Sequence, residues 1–397
     1  MDLFGAEERK EVNDVLETGC LFRYNHDEMR QGHWKARDLE AEVRAFTGAA
    51  HAHAVSSGST AVASVMAASG LGFGDEVIVP PFTYIAPIEG VLLGGGLPVF
   101  AEVDDNLCLT AEGIEQAITP NTKGVLLVHM CGAAADMDAI MEVCERRNLT
   151  LIEDAGQALG AFYKGKSVGL FGKAGAYSFD FFKIVTAGEG GLCVTNDKEV
   201  YDHMQQFSDH GHDHIGDNRG MEQHPILGTN FRISELNAAV GLAQMRKIDR
   251  IRNAKRANKA YIRSRLSAIE GLSFRPMPDP DGDSGTFLNL FMPDQSMAEK
   301  AAHELGKAGV GVNYWFTNQY HFINQWSHLK ELKSPFKMAI HHLGAPQDYA
   351  NLHLPQTQHS IGRLMSLGIK VTWSEKEMDE LCTTMTRVLT SVLADHA

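Results

Sequence analysis

One segment concentrates reactive residue types: Tyr177-Ser178-Phe179-Asp180-Phe181-Phe182-Lys183, running through Ile184-Val185-Thr186-Ala187 into Gly188-Glu189-Gly190-Gly191. A single Lys stands among four aromatic residues, just ahead of a glycine run. An ammonium in apolar surroundings loses hydration, its pKa falls, and a neutral amine near neutral pH is what Schiff-base chemistry requires. The same letters describe a surface Lys beside a buried aromatic strand. A second segment, Leu151-Ile152-Glu153-Asp154-Ala155-Gly156-Gln157, sets an acidic residue just past an apolar run that reads as a buried strand. Open α/β sheets bind ligands at that edge. A carboxylate there can hold a pyridinium nitrogen protonated, which makes pyridoxal phosphate an effective electron sink; by itself, Asp154 also reads as a helix N-cap. The third segment, Val55-Ser56-Ser57-Gly58-Ser59-Thr60-Ala61, opens an amphipathic helix with small hydroxyl residues and a glycine. Free backbone N–H groups and the helix dipole make such an end a phosphate cradle, and an ordinary capped helix start looks the same.

These residues need a scaffold, and short apolar runs bounded by Gly, Pro or polar residues predict one. Buried strands are expected at 76–79, 98–101, 124–128, 150–153, 174–177 and 191–195. Helical spacing appears at 7–16, 59–69 and 137–148, with a loop through Asp38 after the first helix. The alternation predicts a doubly wound, mostly parallel sheet with helices on both faces. A long basic amphipathic stretch from Ser234 to Leu266 leads to Pro276, Pro278, Pro280 and Gly282, a turn-rich joint. The expected division is a large domain over residues 1–250 and a smaller C-terminal α+β domain over 251–397. The latter would contain a strand at 287–292, a helix at 297–308 and a closing helix after Ser374.

Composition narrows the function classes. The 397 residues carry 36 Lys and Arg against 50 Asp and Glu, a net charge of −14 that repels nucleic-acid backbones and anionic membrane faces. No apolar stretch approaches the roughly 18 residues of a membrane span. The basic run from Arg246 to Arg256 is interleaved with apolar residues at helical spacing, which reads as a solvated helix and not a nucleic-acid face. The first ten residues put acidic groups where a secretory signal would put a basic end and an apolar run. The six cysteines are widely spaced with no Cys-x-x-Cys pair, which gives the expectation of reduced thiols in a cytoplasmic protein.

The three reactive segments, in this order and collinear along nearly the whole chain, are similar to those of the DegT/DnrJ/EryC1/StrS family of pyridoxal-phosphate sugar aminotransferases. The resemblance implies the fold type I architecture of PLP-dependent transferases, with Lys183 holding the cofactor covalently. Asp154 would then pair with its ring nitrogen, Gln157 with its phenolic oxygen, and Ser178, Ser59 and Thr60 with its phosphate. Pro80-Pro81-Phe82-Thr83-Tyr84 nominates Tyr84 as the ring stacked on the cofactor. Gly228-Thr229-Asn230-Phe231-Arg232 resembles the family segment whose Asn reaches the phosphate of the neighbouring subunit, which implies a homodimer with shared sites; Phe231 stands where the family usually has Tyr. Lys at 183, where some relatives carry His, points to transamination with glutamate as the implied amino donor.

Four further segments resemble one branch of that family, which aminates oxidised 3,8-dideoxy-8-oxo-manno-octulosonate for lipopolysaccharide: Phe22-Arg23-Tyr24-Asn25, Val128-His129-Met130-Cys131-Gly132, 207–216 and Asn313-Tyr314-Trp315. A sugar acid needs donors, and Arg23, His210, His212 and His214 are the candidates. The spacing His210-x-His212-x-His214 would also suit a metal in an extended chain. Substrate or structural roles are preferred, with Asp209 and Asp213 as partners, and no metal is expected. A nucleotide-linked keto sugar is the rival substrate, and a non-catalytic PLP-binding regulator the rival from another class. Phe181-Phe182, where the wider family often has Pro, is a departure that bears on substrate choice.

Overall fold

Apolar runs able to be buried on both faces build the centre of the molecule. The computed structural model describes residues 3–216 and 218–394. Its first strands are β1 (His51–Val55), β2 (Glu76–Val79), β3 (Leu97–Phe100), β4 (Thr122–Val128) and β5 (Thr150–Asp154). A short hairpin, β6 (Phe162–Tyr163) and β7 (Lys166–Ser167), precedes β8 (Ala174–Ser178) and β9 (Gly191–Thr195). Seven strands form one sheet in the order β1-β9-β8-β5-β4-β2-β3. Strands β2, β3, β4, β5 and β8 pair in parallel, whereas β9 runs against both β1 and β8. β1 and β8 therefore point the same way as β5, and their carboxyl ends share one edge.

Register sharpens that convergence. Val55 of β1 and Ser178 of β8 both lie opposite Gly191, and Asp154 lies opposite Ala176. Only glycine fits at 191, because a Cβ there would stand 2.0 Å from the Ser57 carbonyl oxygen. The Gly58–Ala68 helix leaves this edge and packs on β8 and β9.

The expected α/β architecture is present, with local differences. Residues expected as loop begin the helix Lys35–Thr47, whose Ala36, Leu39 and Val43 are buried. Trp34 ahead of it lies between the guanidinium groups of Arg30 (3.8 Å) and Arg37 (3.4 Å). β1 escapes the apolar-run criterion because imidazoles alternate along His-Ala-His-Ala-Val. The basic stretch after Ser234 breaks into Glu235–Met245 and Ile248–Leu266. Its charges meet acids of the same chain: Arg246 pairs with Glu11 at 2.9 Å, and Lys259 with buried Asp283 at 2.5 Å.

A second sheet, β10 (Ser273–Phe274), β11 (Phe287–Phe291), β12 (Asn313–Tyr314) and β13 (Leu364–Gly368), has the order β10-β11-β13-β12. Its own core joins Ile262, Leu288, Leu290, Met365 and Leu389. Trp315, Phe322 and Trp326, between its strands, are buried instead in the core of the large sheet. That return of the chain positions a residue at the site described next. Among the described residues, no helix is long and apolar enough to cross a membrane.

Candidate active site

Lys183 lies on the loop between β8 and β9. The neck of that loop is closed by Phe179, whose N–H donates to the Gly190 carbonyl (2.9 Å) and whose carbonyl accepts from the Ala187 N–H (2.8 Å). The four aromatic neighbours divide: Tyr177 and Phe179 are buried in the core, while Phe181 and Phe182 are exposed and meet edge to face at 5.2 Å. Burial lowers the pKa of the Lys183 amine, and the negative charges of Asp154 and Asp180 oppose that shift. The shift runs in the direction expected from sequence, although two of the four rings do not dry the amine.

Asp154 ends β5. Its Oδ1 accepts the Gly156 N–H at 2.7 Å, so it caps the turn while staying within electrostatic reach of Lys183. Burial pushes its pKa up, while the Gly156 N–H and the cationic Lys183 pull the other way. Gln157 accepts the Cys131 N–H through Oε1 at 3.1 Å, which fixes the amide so that its NH2 is the end left to donate. Adjacent Glu153, which sequence reading left without a role, is fully buried. It accepts His129 Nε2 (2.9 Å) and the N–H groups of Gly169 (2.7 Å), Phe171 (2.6 Å) and Gly172 (2.7 Å).

The start of the Gly58–Ala68 helix sits against Ser178. A Cβ at Gly58 would lie 2.7 Å from both Cβ and Oγ of Ser178, so glycine alone leaves this corner open. The first helical N–H groups have no intrahelical partner, Ser59 is exposed and the Ser178 hydroxyl is beside them. This donor set fits a phosphate, and with Asp154, Gln157 and Lys183 the residues fit pyridoxal phosphate as a whole. Thr60 departs from expectation: its hydroxyl donates to the Ser57 carbonyl (2.9 Å) and accepts the Ser57 N–H (2.9 Å), so its side chain is held by the helix cap.

Tyr84 is partly exposed and packs against His321 at 5.6 Å. His321 was missed by sequence reading. Its carbonyl accepts the Thr83 N–H (3.0 Å), Nδ1 meets Asn318 Oδ1 (2.9 Å), and Trp315 crowds its ring at 4.8 Å. Burial first, and the Lys183 charge second, hold its pKa at about 4, so the imidazole is neutral beside the amine. The only available signal was the aromatic run Tyr314-Trp315-Phe316 just upstream.

The remaining expected residues gather elsewhere. Asn230 is exposed and bridges Asp209, one residue from Phe231, whose carbonyl accepts the Ser56 N–H at 2.8 Å. Arg23 is buried and donates to Glu40 (2.6 Å) and the Ala54 carbonyl (2.5 Å). His214 stacks on Tyr24 at 4.6 Å, His212 faces Glu222 at 2.9 Å, and His210 is exposed. Asp209 pairs with Arg219 (2.6 Å) and Arg232 (2.5 Å), and only at 3.5 Å with His214. The structure brings Arg23, His212 and His214 into one neighbourhood, but not to Lys183 of the same chain. Among the described residues no three His, Cys, Asp or Glu side chains are arranged to hold a metal.

Comparison with known proteins decides the family. Residues 4–386 match the DegT/DnrJ/EryC1/StrS aminotransferase family. The chain belongs to this family. It is a pyridoxal-phosphate-dependent aminotransferase acting on sugars, in keeping with the geometry around Lys183. A GDP-perosamine synthase from Vibrio cholerae is 35% identical over 288 residues, covering 72% of this chain and 74% of that one. The spore coat polysaccharide biosynthesis protein SpsC of Bacillus subtilis is 30% identical over 389 residues, 96% and 94% of the two chains. Among solved structures, the aminotransferase from Psychrobacter cryohalolentis has a TM-score of 0.83 at 27% identity, covering 99% of this chain and 98% of that one.

Proposed function

We propose that this DegT/DnrJ/EryC1/StrS aminotransferase moves the amino group of glutamate to an oxidised sugar, with 3,8-dideoxy-8-oxo-manno-octulosonate as the acceptor and lipopolysaccharide as its destination. One observation carries the catalytic part: the ends of β1, β5 and β8 bring the Gly58 corner, Asp154 and Ser178 together beside an amine whose pKa burial has lowered. The cofactor, when bound, supplies an aldehyde that holds the amino group and a ring that takes up electron density. Lys183 Nζ removes the proton from Cα of the donor and later delivers one to the acceptor carbon. Asp154 keeps the ring nitrogen protonated, and that positive charge favours the ionised carboxylate which burial otherwise opposes. The Gln157 amide donates to the phenolic oxygen, Ser178 and Ser59 hold the phosphate, Tyr84 covers the ring, and neutral His321 keeps a second positive charge away from Lys183.

A homodimer is part of the proposal, with exposed Asn230 available to the partner's phosphate site. The six cysteines, all free and buried, fit a reducing cytoplasm. The similarity to a GDP-perosamine synthase favours a second reading, an acceptor that is a nucleotide-linked keto sugar. The test is amination of each acceptor with glutamate, read by mass spectrometry of the product and release of 2-oxoglutarate. Product from the sugar acid alone supports the first reading. Product from the nucleotide sugar alone replaces it with the second, and product from neither contradicts both.

A further inference from the structure

A cavity of about 430 Å³ opens beside β1, and none of its lining residues belongs to the group around Lys183. Two side chains that line it, Arg23 and Tyr24, each hold a buried polar atom with no hydrogen-bond partner among the described residues, Nε and Oη, whereas Glu222 Oε2 meets His212 Nδ1 at 2.9 Å and His214 Nε2 stands 3.5 Å from Asp209. The Arg23 side chain is only 3% exposed, so its unmet Nε belongs to a formed interior and not to a frayed surface. Buried polar groups left unmet within a chain call for a polar occupant.

The lining says what kind. Arg37 and Arg44 stand at the cavity seven residues apart on the helix Lys35–Thr47, a spacing that puts both on one face. Among the described residues neither has a carboxylate within ion-pair distance, unlike Arg23, which is matched by Glu40 at 2.6 Å. Two guanidinium groups with no carboxylate partner, Arg37 lying over the Trp34 ring at 3.4 Å, make a local anion site on a chain of net charge −14. Glu222 and Gln205 add acceptors for hydroxyl groups. Tyr24 stacked on His214 (4.6 Å) and Tyr201 stacked on His51 (4.8 Å) add flat surfaces that suit the C–H faces of a sugar ring.

We propose that this cavity is a second carbohydrate site, separate from the transamination centre, that takes a small sugar bearing one anionic group. Arg37 and Arg44 meet the anion, while Glu222, Gln205 and the unmet atoms of Arg23 and Tyr24 meet the hydroxyls. A sugar carboxylate and a sugar phosphate share this chemistry. The site stands whether or not the proposed acceptor is right.

Isothermal titration calorimetry of the cofactor-saturated protein with gluconate, glucose 6-phosphate and glucose tests it. At least one anion binds and glucose binds about tenfold more weakly or not at all. The better anion identifies carboxylate or phosphate. The double variant Arg37→Gln/Arg44→Gln, at exposed positions and checked for folding by circular dichroism, weakens the anion about tenfold or more, whereas Lys183→Ala leaves it within about twofold. The proposal is overturned if neither anion binds, if the double variant binds like the wild type, or if Lys183→Ala removes binding and so places the ligand at the catalytic centre.

Discussion

Glu153 and Asp154 are consecutive carboxylates at the end of β5, and strand alternation sends them to opposite sides. Glu153 accepts from His129 and three backbone N–H groups, and its hydrogen-bonding capacity is filled. Asp154 accepts from one N–H, lies within electrostatic reach of Lys183, and has its pKa raised by burial. The first ties the 169–172 loop to the sheet. The second has lone pairs left for a ligand, and in the proposed mechanism a protonated ring nitrogen would be the missing partner. Chemistry sits where the fold leaves a buried group incompletely met, and stability sits one residue away.

The sharpest test of that contrast begins on the ligand side. Lys183→Ala is expected to lower turnover roughly 1,000-fold or more while the melting temperature stays unchanged, since among the described residues the amine makes no side-chain hydrogen bond. Asp154→Asn is expected to cost about 100-fold in kcat, again without loss of stability, because a neutral amide cannot hold the ring nitrogen protonated. Gly58→Ala is expected to weaken cofactor binding about tenfold, as its methyl would press on Ser178; fluorescence titration with pyridoxal phosphate reads this. Glu153→Gln should do the reverse. Turnover per folded molecule changes by less than about threefold, but stability in a urea melt falls by about 2 to 3 kcal/mol, because an amide presents N–H where the loop presents N–H. A Glu153→Gln protein as stable as the wild type would break the comparison.

The smallest effect is in pH. His321 is held at about 4 in the folded chain against an ordinary 6.5, so between those values the unfolded chain binds more protons. Its contribution to stability is complete above about pH 6.5 and is lost as pH falls toward 4. Substituting His321→Gln is therefore expected to shrink the fall in melting temperature between about pH 7 and pH 5.

What the sequence made legible follows from where each signal is local. Buried strands such as Thr150–Asp154 announce themselves by short apolar runs, and Lys183, Asp154 and Gln157 lie at fixed offsets from them. The Ser57-Gly58-Ser59-Thr60 cradle was readable as a helix start, but the hydroxyl of Thr60 goes to the cap, a choice between two uses of one group that letters cannot express. His321 was hidden because its meeting with Tyr84 depends on the Trp315–Trp326 segment leaving the second sheet to enter the core of the first. Glu153 was hidden because its four donors come from two stretches of chain, His129 and the 169–172 loop, on either side of it in sequence.

In the proposed mechanism the Lys183 amine moves the proton at a centre assembled from β1, β5 and β8. A visible spectrum of the protein loaded with pyridoxal phosphate, recorded before and after glutamate for the wild type and Lys183→Ala, tests it most directly. Glutamate is expected to bleach the cofactor band of the wild type and release 2-oxoglutarate, while the variant binds cofactor and fails to make that conversion. A variant that converts as fast as the wild type, or a wild type that glutamate leaves unchanged, would contradict it.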